Sequence, residues 1–514
     1  MNAAPGGEVN PPRPKPPRRR RIGRTGKPGA ATAANGRHGF PAFAGYHPVM
    51  QSMRIFWRTQ IAAIAGLIPG GALAHASEQS LVLLLPTDIY NGAGVAAVAL
   101  TVLLLAVLPA RAMTRLYRPV ALTRASLRPV RPFASLMAFA LLALLVWAGL
   151  AGPRDPLANP LPLFVWTVFW IGFVTVQATL GDLWYYFNPW TGPLWLVRKL
   201  LRPWAYARLP PELGHGLGIL AFLAFAYLLL ADPAPADPDR LARYVATYWL
   251  FTFVLALIYG PRWLRRAEGL GLMARAYARL AVVGRWKGRL HAGFPGWQIR
   301  HKPPFLLGPS LLIVILLGTG SFDGLNETCW WLGLNGINPL EFPGRSAVVW
   351  QSSVGLVLAS TALIAAMALT VILGLRLIGA RVGIARGLRL FAPSVLPIAL
   401  GYHVAHYLPS LLVDGQYALV ALSDPFLSGA DYLNLGEHFV TTGFFNTTAT
   451  VRLIYLSQAA AVVLGHVLAV MLAHAIAMRE FGTTTRAALS QAPLALFMIL
   501  YTLFGLWLLA SPRF

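Results

Sequence analysis

The chain has 514 residues, of which 56% are hydrophobic and only 12% charged, with a formal net charge of +25. A soluble domain carries about twice that charged fraction, so a water-soluble globular fold is excluded. The single cysteine, Cys329, excludes an internal disulfide, a cysteine-ligated cluster and a zinc finger.

Residues 1–52 are rich in Pro, Gly, Arg and Ala and include the run Pro16-Pro17-Arg18-Arg19-Arg20-Arg21. No apolar period recurs there, so the segment reads as a disordered basic tail. Residues 53–74 read as a signal peptide: Met53-Arg54-Ile55-Phe56-Trp57-Arg58, then an apolar core from Ile61 to Ile68, then Ala72-Leu73-Ala74 as an A-x-A cleavage site. Such a peptide begins at the initiator, so Met53 or Met50 is the expected start. Cleavage after Ala74 leaves His75 at the new N-terminus. Its α-amino group and imidazole together form a bidentate pair suited to copper, or His75 simply follows a cleavage site.

From residue 75 onward the expected fold is an all-α, polytopic transmembrane helical bundle of about ten spans. By hydropathy and length they run approximately over Gly92–Ala110, Phe133–Leu150, Leu161–Leu180, Gly216–Leu230, Tyr244–Tyr259, Phe305–Gly318, Ala347–Leu377, Ala392–Val413, Leu453–Ala475 and Ala492–Ala510. Ala267 to Val283, in the basic stretch after the fifth span, reads as an amphipathic helix on the membrane surface. Asp414 to Thr450 reads as a long polar-aromatic connection. Trp166, Trp170, Trp184, Trp190, Trp330 and Trp331 read as interfacial anchors. Asp182, Asn188 and Pro189 read as helix caps and stops.

Charge sets the orientation. Loops after spans one, three, five, seven and nine are rich in Arg, and those after spans two, four, six and eight carry the acids. The positive-inside rule then puts the mature N-terminus and the C-terminus outside. The partner is the lipid bilayer. The excess of Arg serves topology, and no nucleic-acid partner is expected.

The chemistry concentrates in Gly401-Tyr402-His403-Val404-Ala405-His406-Tyr407. His403 and His406 are three apart and share one face of the eighth span. His466 lies mid-span in the ninth, and His474 near its cytoplasmic end, where it is expected to snorkel. Asp323 and Glu327 lie just beyond the outer end of the sixth span. An ionisable side chain at membrane depth marks a functional site by default. Imidazole and carboxylate groups suit a divalent metal: zinc, copper, manganese or iron. The ligands are then His403, His406, His466 and His75, with Asp323 as a ligand or general base. A haem held by His466 and either His403 or His406 is a further reading. So is a purely structural network in which hydrogen bonds to Tyr402, Tyr407 and Gln458 fix helix packing. Spacing alone leaves these open. There is no G-x-S-x-G elbow, no phosphate-binding loop, and no matched pair of broken spans of the transporter kind.

Several stretches keep a common order along the chain. They are Pro160-Leu161-Pro162-Leu163 through Gly181-Asp182-Leu183-Trp184 to Asn188-Pro189-Trp190; Ser321-Phe322-Asp323-Gly324; Gly401 to Leu408 with Leu422-Ser423-Asp424-Pro425-Phe426; Gly465-His466 to Ala473-His474; and Tyr501-Thr502 to Gly505-Leu506-Trp507-Leu508-Leu509. From about His75 to the C-terminus the chain resembles the bacterial membrane proteins called fenitrothion hydrolases. The resemblance implies hydrolysis of an aryl phosphotriester or phosphorothioate, an apolar small molecule that enters from the bilayer. It brings no catalytic residues with it. The expected function is thus a metal-dependent organophosphate hydrolase. The alternatives are a copper- or haem-handling membrane protein, a subunit of a membrane complex, or a transporter.

Overall fold

The computed structural model describes residues 81–514 apart from 125–127, 202–205, 211–212, 343, 427, 437–438 and 514. The basic tail, the stretch expected to be a signal peptide, and His75 lie outside the described residues.

Ten helices follow the expected order: α1 (Thr87–Val107), α2 (Arg131–Ala151), α3 (Pro160–Thr179), α4 (Gly216–Leu230), α5 (Pro238–Tyr259), then, after the short α6 (Gly269–Ala278), α7 (Leu307–Asn326), α8 (Val349–Leu377), α9 (Leu396–Ser423), α10 (Thr448–Phe481) and α11 (Thr484–Ala510). Among the described residues nine of these are long and apolar enough to cross a bilayer. The tenth, α4, has only 15 residues. It still runs the same way as α7: His215 at its start lies against Gly308, and the Leu230 carbonyl at its end accepts from the Asn326 amide at 3.4 Å. The fold is an all-α, multi-pass membrane bundle.

Loop contacts sort into two ends. At one end, β1 (Val120–Thr123), from the loop after α1, pairs antiparallel with β3 (Arg289–Ala292). β3 also pairs with β2 (Val283–Trp286), so two Arg-bearing loops share one small sheet. The β2–β3 turn is Lys287-Gly288, both at positive φ, as a two-residue hairpin requires. The end of α3 joins this sheet through Val282 N–H to the Thr179 carbonyl at 2.9 Å. At the other end, the Arg345 guanidinium donates to the Leu229 and Asp232 carbonyls, Arg154 pairs with Asp239, and the Cys329 amide donates to the Pro512 carbonyl. The alternation of basic and acid-bearing loops read from the sequence is therefore an alternation of bundle ends.

α7, α9 and α10 form the interior. α9 and α10 meet through glycines: a Cβ on Gly465 would lie 2.7 Å from the Pro397 carbonyl, and one on Gly401 2.6 Å from the Ala461 carbonyl. Only glycine permits this approach of two backbones, the usual device for packing helices in lipid. α11 closes on α9 where Gly505 receives the Tyr402 ring, whose hydroxyl donates to the Tyr501 carbonyl at 3.0 Å.

Five expectations need correction. The sixth span does not end at Gly318; α7 continues to Asn326, so Asp323 lies inside the helix and is buried. Its polar last turns lower the hydropathy, but they face partners inside the bundle. The eighth span likewise continues past Val413 to Ser423, through Pro409. The stretch expected as a surface amphipathic helix contains α6, which is almost wholly buried against α3, α4 and α7; Glu268 caps it by accepting from the Leu270 and Gly271 amides. Trp170, Trp184 and Trp190 are buried in the protein rather than anchored at an interface, while Trp330 is exposed. His474 does not snorkel: it is fully buried and paired with Gln491.

Candidate metal centre

The site forms where the acid-bearing end of α7 meets α9. Asp323 and Glu327 are four apart, so they stack one turn above the other on one face. Asp323 is within the helix and Glu327 is its C-cap. Opposite them, His406 Nε2 lies 3.4 Å from Asp323 Oδ2 and 3.9 Å from Glu327 Oε2. One ligand atom from each of Asp323, Glu327 and His406 lies within 4.8 Å of the others. Two carboxylates and an imidazole at this spacing fit a divalent cation of the zinc, manganese or iron type.

Neighbours fix each of these side chains. The Tyr407 hydroxyl donates to Asp323 Oδ2. The His406 and Tyr407 rings meet at 4.6 Å. Arg513 Nη1 lies 3.3 Å from Glu327 Oε2, and its backbone pairs with Thr328, which brings the last turn of the chain against the site. A hydrogen-bonded outer partner of this kind orients a ligand and raises its affinity for metal.

The other predicted ligands sit apart from this set. His403 is buried edge-on to Trp170 with ring centroids 5.0 Å apart, and 5.1 Å from the Tyr407 ring. Trp170 belongs to an eleven-residue π-helical stretch of α3, Leu163–Phe173. Such a stretch is rare and often accompanies a functional site. His466 donates its Nδ1–H to the Val462 carbonyl, 2.9 Å away, and its ring neighbours are Tyr402 and Tyr501. The Nε2 atoms of His403 and His466 are both buried without a hydrogen-bond partner among the described residues. Their ring neighbours have no residue in common. The expected hydrogen bonds from Tyr402, Tyr407 and Gln458 to the histidines are absent as well. Those groups bond the Tyr501 carbonyl, Asp323 and the Ala405 carbonyl instead.

Glu327 is the candidate ligand that the set read from the sequence leaves out. Its signal is its spacing, one helical turn past Asp323. Arg513 had no signal, because only folding brings it to the site. The connection after α9 is organised by its own carboxylates. Backbone amides of Ser428 and Gly429 hold Asp424 below the usual carboxylate range, and those of Gly436 and Leu435 do the same for Asp431.

Comparison with known proteins gives no match: no family model, no curated protein and no solved structure is similar enough to this chain to lend it a fold or a role.

Proposed function

We propose that this protein is a metal-dependent hydrolase of apolar phosphotriesters, embedded in a bacterial inner membrane with its site toward the outer face. One observation carries the reading. Asp323, Glu327 and His406 converge within 4.8 Å at the acid-bearing end of the bundle. The order of motifs shared with the fenitrothion hydrolases supports the substrate class, and the charge distribution supports the orientation.

A divalent cation held by these three residues would supply Lewis acidity, polarising a phosphoryl oxygen and making bound water acidic near neutral pH. The protein's own groups do the rest. Tyr407 holds Asp323 in place from within the bundle, and Arg513 holds Glu327 from the C-terminal side. Arg513, beside Glu327, also puts positive charge next to the site, where it would favour the negative charge that the phosphoryl oxygens gain as phosphorus becomes five-coordinate. Hydrolysis forms a P–O bond from water and breaks the P–O bond to the aryl group. The aryloxide leaves, and a phosphodiester anion and two protons remain, one of which the aryloxide takes if it departs as the phenol.

The test is metal content together with turnover of an aryl dialkyl phosphotriester that releases a coloured phenolate. Detergent-purified protein is expected to hold stoichiometric metal, and His406→Ala and Glu327→Gln to lose both metal and turnover while still inserting. Full turnover in a well-folded His406→Ala protein would remove the site from the mechanism.

A second reading has its own observation: Glu327, His406, Asp323 and Tyr407 follow one another as a run of titratable groups, His406 lying 3.9 Å from Glu327 and 3.4 Å from Asp323, with Arg513 closing the Glu327 end. Such a chain suits a proton relay in a transporter or a subunit of a membrane complex. Metal-free protein whose His406→Ala variant loses proton-coupled function would favour it.

A further inference from the structure

The basic end of the bundle holds a second feature, independent of the metal centre. A narrow recess opens beside the start of α9 and the end of α10. Its apolar walls include Ile299, Phe305, Leu390 and Ile476, and two arginines, Arg389 and Arg479, line it as well. Each arginine is anchored by one hydrogen bond to backbone, Arg389 Nε to the Phe305 carbonyl at 2.9 Å and Arg479 to the Arg300 carbonyl. A guanidinium has five N–H donors, so each keeps others for a ligand.

The surrounding charge is one-sided. Arg300 and His301 sit on the short helix Trp297–His301, and Arg279 lies 4.7 Å over the Phe305 ring. Glu480, the acid beside Arg479 in the chain, is paired with Arg386. Arg300 Nε and His301 Nδ1 are buried without a hydrogen-bond partner. Burial and the like charge of Arg479 push the Arg300 guanidinium down from its usual value, and burial and both arginines push His301 down. Packed cations with so little acid among them call for an anion.

We propose that the mouth of this recess is a binding site for an anionic phospholipid, with the phosphate between Arg389 and Arg479 and the glycerol and first acyl carbons against Pro304 and Phe305, the apolar lining residues that are not fully covered. The chemistry is that of a phosphate monoanion gripped by guanidinium forks. A lipid fits better than free phosphate because the walls are apolar and lie where two spans meet their basic loops. Basic pockets between spans at the cytoplasmic side take headgroups of this kind.

The test uses the detergent-solubilised full chain and native mass spectrometry, with added phosphatidylglycerol, phosphatidylcholine or inorganic phosphate. Phosphatidylglycerol is expected to stay bound and to raise the melting temperature, and phosphatidylcholine to do neither. Arg389→Gln/Arg479→Gln is expected to weaken retention by about 25-fold, at roughly fivefold per arginine. Arg289→Gln/Arg381→Gln, which removes two exposed charges from the same end, is expected to leave it unchanged. Equal loss in both double variants would mean a diffuse basic surface and would overturn the site. Stabilisation by inorganic phosphate equal to that by phosphatidylglycerol would overturn the lipid assignment. If the first double variant does not accumulate, Arg479→Gln alone, at the exposed arginine, decides: a loss of phosphatidylglycerol retention greater than in Arg289→Gln/Arg381→Gln upholds the proposal, and an equal or smaller loss overturns it.

Discussion

α2 and α9 are both spans, yet they are opposites. An 18-residue window of the segment Arg128–Ala151 has a mean hydropathy of 2.3 and is 22% buried, whereas one in Ile384–Ser423, which holds α9 and the turns before it, has 1.3 and is 83% buried. In water the more apolar helix would be the core. Here α2 turns Phe133, Met137, Leu144 and Trp147 outward to lipid, and α9 keeps Tyr402, His403 and two glycine contacts inside. Lipid tails are as apolar as leucine, so an apolar surface gains nothing by leaving them. Polar groups gain by meeting partners, and small residues gain by close packing. The interior of this bundle is therefore its less hydrophobic part, and that is where its chemistry lies.

That contrast breaks most sharply at the α9–α10 glycines. Gly465→Leu is expected to cost more than the usual ~1–3 kcal/mol for overpacking, because the obstacles are backbone atoms of α9 rather than movable side chains. Met137→Ala, at a position 70% exposed on α2, is expected to stay within about 0.5 kcal/mol. Yield and melting temperature in one detergent measure both. Equal melting temperatures would mean that α9 and α10 do not pack as described.

A subtler change tests whether polar partners hold the interior. Tyr407→Phe keeps the ring and removes the hydroxyl that reaches Asp323 Oδ2. The buried carboxylate then lacks a donor, at a cost of roughly 1–3 kcal/mol. If Asp323 is a metal ligand, metal affinity falls about 10- to 100-fold as well, as for other lost outer partners. A stability loss with unchanged metal affinity would make Tyr407 a packing residue only.

How much of this was legible in the sequence follows from the same contrast. Spans show as apolar runs, so ten helices could be read, nine of them long enough to cross a bilayer, and Arg and acid placement sorted their loops. Span ends that carry polar residues could not: Ser321 and Asp323 look like loop, but Tyr501 and Tyr407 satisfy them inside the bundle. The histidine cluster was legible as a concentration of ionisable groups. Its partition was not. A periodicity argument puts His403 and His406 on one face, but it does not say that α7 lies beside His406 while Trp170 of α3 covers His403. α6 misled for the opposite reason. Its alternation of Arg with apolar residues suggests a membrane surface, whereas Arg275 is used to bond the Leu264 and Arg265 carbonyls.

The smallest effect is expected at the boundary between these two environments, in the turn between α4 and α5. Asp232 is buried there, with Arg240 Nη2 2.8 Å from its Oδ2. Burial alone would lift its carboxyl. Hydrogen bonds from Arg240, the Ala234 amide and the Tyr244 hydroxyl outweigh burial and hold it below its ordinary value. A depressed carboxyl contributes stability above the pKa of the unfolded chain, near 3.9. That contribution is lost as the pH falls through the lower folded value. Wild-type protein should therefore lose more stability between about pH 5 and pH 3 than Asp232→Asn, which has no proton to take up there. Thermal melts of the two proteins over that range measure it. Parallel curves would mean that the α4–α5 turn is held by Arg345 on its carbonyls, not by the Asp232 carboxylate.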